Sequence, residues 1–154
     1  MNKIAIAKEV ISKVSYTTIA SISADAEPWN TPVLFATDEQ YNFFWTSAVE
    51  TQHSENIRQN PKVFLVVYDT SVPEGFSHGV YIQANAVELG DSDEIQHAAE
   101  LVYARKNKTP RTADEFLEDA PRRMYKAVPE RVWINMPVEP QTNPLGSREE
   151  ITLV

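Results

Sequence analysis

Residues 44–63 read Phe44-Trp45-Thr46-Ser47-Ala48-Val49-Glu50-Thr51-Gln52-His53-Ser54-Glu55-Asn56-Ile57-Arg58-Gln59-Asn60-Pro61-Lys62-Val63. An aromatic, strand-forming run ends in two hydroxyl residues, a short loop follows, and a polar segment with helical character stops just before Pro61. A helix start leaves unpaired N–H groups under the positive end of its dipole, which is a place for an anion. Thr51, Gln52 and His53 add hydroxyl, amide and imidazole groups at that start. The alternative is that Thr51 and Ser54 only cap the helix. The residues alone leave both readings open.

Working outward, Ile4, Ala7, Ile11 and Val14 recur at helical spacing, so 3–13 is expected to be an amphipathic helix. Period-two patterning then predicts strands at 16–23, 31–37 and 41–46, with a turn at 24–28. Beyond the central helix, residues 63–68 are an unbroken apolar run suited to a strand covered on both faces. Residues 80–89 alternate again. Asp91 with Glu94 caps a helix whose stripe is Ile95, Ala98, Ala99, Val102 and Tyr103. Thr112 with Glu115 opens a short helix that Pro121 interrupts. Residues 132–136 form the sixth strand, and 137–154, with three prolines and a glycine, are expected to be irregular. Six short strands with one helix between the third and fourth do not make a parallel sheet. They predict a mainly β fold with peripheral α: a closed or nearly closed antiparallel barrel with flanking helices.

The 154 residues fit one domain, with its core at about 16–136. The formal net charge of −8 argues against a nucleic-acid binder, which needs a basic face. That charge is uneven. Residues 1–104 carry 5 basic and 14 acidic side chains, residues 105–131 carry 8 and 5, and the last 23 carry 1 and 3. The basic segment either forms a solvated surface or faces an anion. With no cysteine, disulfides, thiol catalysis and cysteine-ligated metals are excluded. No membrane-spanning run and no signal peptide are read, so a cytoplasmic location is expected. His53, His78 and His97 lack metal-ligand spacing, so no metal is expected; His97 is placed on the solvent side of its helix. No nucleophile elbow, phosphate loop or dinucleotide fingerprint occurs.

The segment at 44–63 resembles the pyridoxamine 5′-phosphate oxidase-like FMN-binding split barrels. The resemblance begins at Thr17-Thr18-Ile19-Ala20-Ser21-Ile22, continues through Pro28-Trp29-Asn30-Thr31-Pro32-Val33, and reaches Arg122-Arg123-Met124-Tyr125 and Val132-Trp133. It implies a six-stranded, Greek-key split barrel that forms a homodimer with FMN at the subunit interface. It implies that Trp45, Thr46 and Ser47 hold the ribityl chain and ring edge, and that Thr51, Gln52 and His53 bind the phosphate. Main chain near Pro32, Val33 and Leu34 would lie along the ring, and Arg122 and Arg123 would approach a cofactor from the other subunit. Many relatives carry two cations where this chain has Gln52 and His53; His53 charged beside a dianion would make up part of that difference. The C-terminal residues do not match the oxidase's own substrate grip. The implied activity is an FMN-dependent oxidoreductase acting on a small molecule, with no acid or base assigned. Trp29 and Trp133 are candidate walls of the substrate side, or core residues. The alternatives are a non-catalytic flavin- or haem-binding sensor or carrier, and a deazaflavin-dependent reductase on the same barrel.

Overall fold

The computed structural model describes residues 2–154. Helix α1 (Lys3–Lys13) is capped by the Asn2 side chain and buries Ala7, Val10 and Ile11. Strands β1 (Tyr16–Ile22) and β2 (Pro28–Leu34) form a hairpin, and a two-residue strand β3 (Ala36–Thr37) leads to β4 (Phe43–Ala48). Helix α2 (Gln52–Gln59) is followed by β5 (Lys62–Tyr68) and β6 (Gly79–Glu88). Helix α3 (Ser92–Arg105) and a 3₁₀ turn (Ala113–Phe116) precede the long β7 (Arg122–Met136), and β8 (Ser147–Ile151) is the last strand.

One antiparallel sheet runs in the order β2-β1-β5-β6-β7-β4-β3, with β8 paired to the distal half of β7. Its two end strands, β2 and β3, are joined by a single residue, Phe35. That residue is fully buried and stacks on Phe43 with ring centroids 5.1 Å apart. The chain therefore crosses from one edge of the curled sheet to the other at Phe35, which is what makes this a split barrel. Ile19, Leu65, Ile82, Trp45 and Tyr125 fill the barrel interior. A second core lies under α3, where Ile95, Ala98 and Val102 meet Phe44, Phe116 and Met124. Strand β4 serves both cores, because alternate side chains point to opposite faces. Burying each of these large apolar side chains stabilises the fold by about 1.5–3 kcal/mol.

Eight strands stand where six were expected. The expected strand at 31–37 is two strands, divided at Phe35. The tail at 137–154 is not wholly irregular, since Ser147–Ile151 pairs with β7. Strand β7 begins at Arg122 rather than near 132 and carries Pro129 within it. It does so through a bulge: Gln83 faces Arg131 and Ala84 faces Pro129, leaving Glu130 as the extra residue. The apolar run in β5 is buried on one face only. Val63, Leu65 and Val67 point inward, while Phe64 and Val66 are half-buried on the outer face. No helix among the described residues is long and apolar enough to cross a membrane.

Candidate functional site

The seam of the barrel leaves a groove. Strand β4 pairs with β3 only through Phe43 and Phe44, so beyond Phe44 no described strand covers that edge of β4. On its other edge β4 stays paired with β7 through Ala48. A groove of about 680 Å³ opens there, within the usual size range of small-ligand sites. The end of β2 contributes Pro32, Val33 and Leu34 to one wall, and the end of β4 contributes Thr46, Ser47 and Ala48 to the other. Thr51 and His53 line it from the start of α2. Tyr16, Lys106, Lys108 and Arg122 complete it.

The α2 start is held by hydroxyls. Thr51 Oγ1 accepts from the Ser54 N–H at 3.4 Å and lies 2.7 Å from Ser54 Oγ, which donates to Ala48 O at 2.9 Å. His53 is buried, with Nε2 2.7 Å from Ser47 Oγ and 3.3 Å from Thr51 Oγ1. Burial lowers the His53 pKa from its ordinary value, so with no anion beside it the ring is neutral at pH 7. Thr46 lines the groove, and its hydroxyl oxygen is buried with no hydrogen-bond partner among the described residues.

Of the residues singled out in the sequence, Val33, Leu34, Thr46, Ser47, Thr51 and His53 meet in this groove. Gln52 is exposed, and its Nε2 donates to Asn56 Oδ1 at 2.8 Å, leaving only its main chain at the helix start. Trp45 is fully buried and stacked on Tyr125 at 5.6 Å, so its ring belongs to the barrel core beneath the groove. Arg122 lines the groove, whereas Arg123 faces another cavity. Arg123 donates to the carbonyls of Glu118 and Ala120 and pairs with Glu88 at 3.3 Å. Glu88 also accepts from Arg58 at 3.2 Å and from the Tyr125 hydroxyl at 3.1 Å, tying α2 and β7 together. Burial, with Glu88 adjacent, pushes the Tyr125 pKa up to about 12. Trp29 is half-exposed on β2, and Trp133 stacks on Phe64 at 6.1 Å on the outer sheet face; neither lines the groove.

Sequence reasoning did not single out Tyr16, Lys106 or Lys108. The only signal for the two lysines was the positive balance of residues 105–131. Their placement comes from the exit of α3, where Asn107 adopts a left-handed φ of 54°. The N–H of Asn107 bonds Ala104 O at 3.0 Å and that of Lys108 bonds Tyr103 O at 3.0 Å, a Schellman ending that reverses the chain between the two lysines.

The model of a protein family described as pyridoxamine 5′-phosphate oxidase matches residues 5–135. No match is found among curated proteins. Among solved structures, a protein of unknown function from Agrobacterium tumefaciens superposes with a TM-score of 0.72 at 19% identity, covering 94% of this chain and 60% of its own. A heme binding protein from Mycobacterium smegmatis gives 0.74 at 13% identity, covering 97% of this chain and 57% of its own. The heme storage protein HutZ from Vibrio cholerae gives 0.67 at 15% identity, covering 86% of this chain and 94% of its own. The chain thus spans less than two thirds of the first two proteins. At these identities the likeness is one of fold.

Proposed function

The chain belongs to the pyridoxamine 5′-phosphate oxidase family, and from that premise we propose that it is an FMN-binding protein acting as a flavin-dependent oxidoreductase on a small molecule. The observation that carries this is the seam groove. It brings Val33, Leu34, Thr46, Ser47, Thr51 and His53 together from three elements, in an arrangement that suits a flavin phosphate ester. Main chain at Val33 and Leu34 borders the ring. Thr46 and Ser47 border the ribityl chain, with the Ser47 hydroxyl held by His53 and the Thr46 hydroxyl without a partner among the described residues. The start of α2 faces the phosphate, with the N–H groups of Gln52 and His53 given no acceptor among the described residues. Bound FMN supplies hydride or electron transfer; the chain's part is to bind it, orient it and exclude water.

A homodimer completes this reading. The outer face of β1, β5, β6 and β7 carries Thr18, Val66, Tyr81 and Trp133 in one cross-strand row, with Ala20 and Phe64 in the next. Tyr16 and Leu34, which line the groove, pair across β1 and β2 on the same face. A second copy laid on this face would cover the apolar row and wall the groove. A haem-binding carrier is the second reading, favoured by the two structural relatives whose names state haem binding or storage.

Absorption of the purified protein with and without added FMN tests both. The expected result is flavin bands, saturation near one FMN per chain, and bleaching by a reduced nicotinamide cofactor. A colourless protein that takes up no FMN overturns the flavin reading, and a Soret band replaces it with haem. Bound flavin that no donor reduces leaves a carrier. A monomer in sedimentation that binds FMN tightly overturns the interface reading.

A further inference from the structure

Residues 105–131 hold eight basic side chains. Four of them have acidic partners: Arg111 with Glu115, Arg123 with Glu88, Lys126 with Glu94 and Arg131 with Glu150. A fifth, Arg105, donates to the carbonyls of Ile11 and Val14 and lies over the Phe35 ring. Lys106, Lys108 and Arg122 remain, without an ion pair among the described residues, and all three line the seam groove. No lining residue of that groove is acidic, in a chain whose net charge is −8.

We propose that Lys106, Lys108 and Arg122 form a phosphate-binding cluster supplied by the same chain, holding a phosphate monoester in the groove together with the start of α2. This rests on the FMN reading only for the identity of the ester; the cluster recognises the phosphoryl group whichever molecule carries it. The cations come from two elements. Lys106 and Lys108 flank the Schellman turn after α3, and Arg122 opens β7 opposite Ala48. Lysines at a helix C-terminus complement its dipole, but that does not account for Arg122 at the same groove. Unpaired like charges gathered at one site disfavour one another, and a dianion removes that cost. Burial of Lys106, and the positive charges of Arg122, Lys108 and Arg111 around it, lower its pKa. The α2 start supplies N–H and hydroxyl donors and one histidine, and the cluster supplies the permanent positive charge that those groups lack.

The test compares the full chain with the Lys106→Gln/Lys108→Gln/Arg122→Gln variant, its folding checked by circular dichroism and thermal midpoint. FMN, riboflavin and inorganic phosphate are the probes. The expected result is at least a tenfold loss of FMN affinity with riboflavin affinity unchanged, and a flatter dependence of FMN affinity on salt. Phosphate should raise the thermal midpoint of the wild-type chain and not that of the variant. An unchanged FMN-to-riboflavin ratio, or equal stabilisation of both proteins by phosphate, overturns the cluster. If neither flavin binds, the FMN reading fails and the phosphate arm decides the cluster alone. Stabilisation of the wild type only upholds it, and no stabilisation of either overturns it.

Discussion

His53 Nε2 lies 2.7 Å from Ser47 Oγ, so the first turn of α2 is pinned to the end of β4 across the floor of the groove. Both residues are buried, at 7% exposure each. Removing the Ser47 hydroxyl leaves a buried ring nitrogen with only the longer contact to Thr51. Ser47→Ala is expected to lower unfolding free energy by about 1–3 kcal/mol, the cost of an unsatisfied buried polar group. Urea denaturation measures it. Under the flavin reading the same variant weakens FMN, and a variant of unchanged stability and affinity would remove this pair from the site.

The same ring gives the stability a pH dependence. Burial holds His53 below its ordinary 6.5, so between that value and the lower folded value the unfolded chain binds a proton that the native chain does not. Stability from this group is complete above 6.5 and is lost as pH falls through the folded value. His53→Gln abolishes the titration. The difference in thermal midpoint between wild type and His53→Gln should therefore shrink on going from pH 7.5 to 5.5. A difference constant over that range would show that His53 does not titrate differently on folding.

Asn107 sets the direction of Lys106 and Lys108 through its φ of 54°. Glycine adopts that conformation freely, whereas a β-branched residue resists it. Asn107→Gly is expected to leave stability within about 0.5 kcal/mol, because the relief of left-handed strain and the added freedom of the unfolded chain are both small and opposed. Asn107→Val is expected to cost about 1–2 kcal/mol, the penalty for forcing a side chain into the left-handed region. Its FMN affinity should fall with it if the lysines are displaced. Thermal denaturation and FMN titration of the two variants separate these outcomes.

How much of this was legible in the sequence depends on how locally each feature is encoded. The strand end, loop and helix start at 46–53 are contiguous, and hydroxyl and amide groups at a helix start carry a meaning of their own, so that half of the groove was readable. Lys106, Lys108 and Arg122 reach it only through the fold, and a positive balance over 105–131 was their whole trace. Phe35 is an inward-facing residue of an alternating strand, and nothing local marks it as the point where the chain changes sheet edges. Pro129 argues against a central strand, and only the bulge opposite Gln83 and Ala84 makes it tolerable. The tail misled for a similar reason. Ser-Arg-Glu-Glu-Ile at 147–151 has almost no apolar alternation, because its strand lies beyond β7 with its polar groups in water.

That tail strand bears on stability through two apolar side chains at its end. Ile151 packs against the barrel core, and Leu153 is 4% exposed within it. The ladder from Val132–Ile151 to Met136–Ser147 holds both in place. Leu153→Ala is expected to cost about 2–4 kcal/mol, the range for a buried leucine whose surroundings relax only partly. Truncation after Gly146 removes Leu153, Ile151 and the β7–β8 ladder together and should cost more than the point variant. Urea denaturation of the two proteins checks the order. Equal midpoints would mean that the ladder contributes nothing beyond anchoring Leu153, and an unaffected truncation would mean that the barrel end is closed without it.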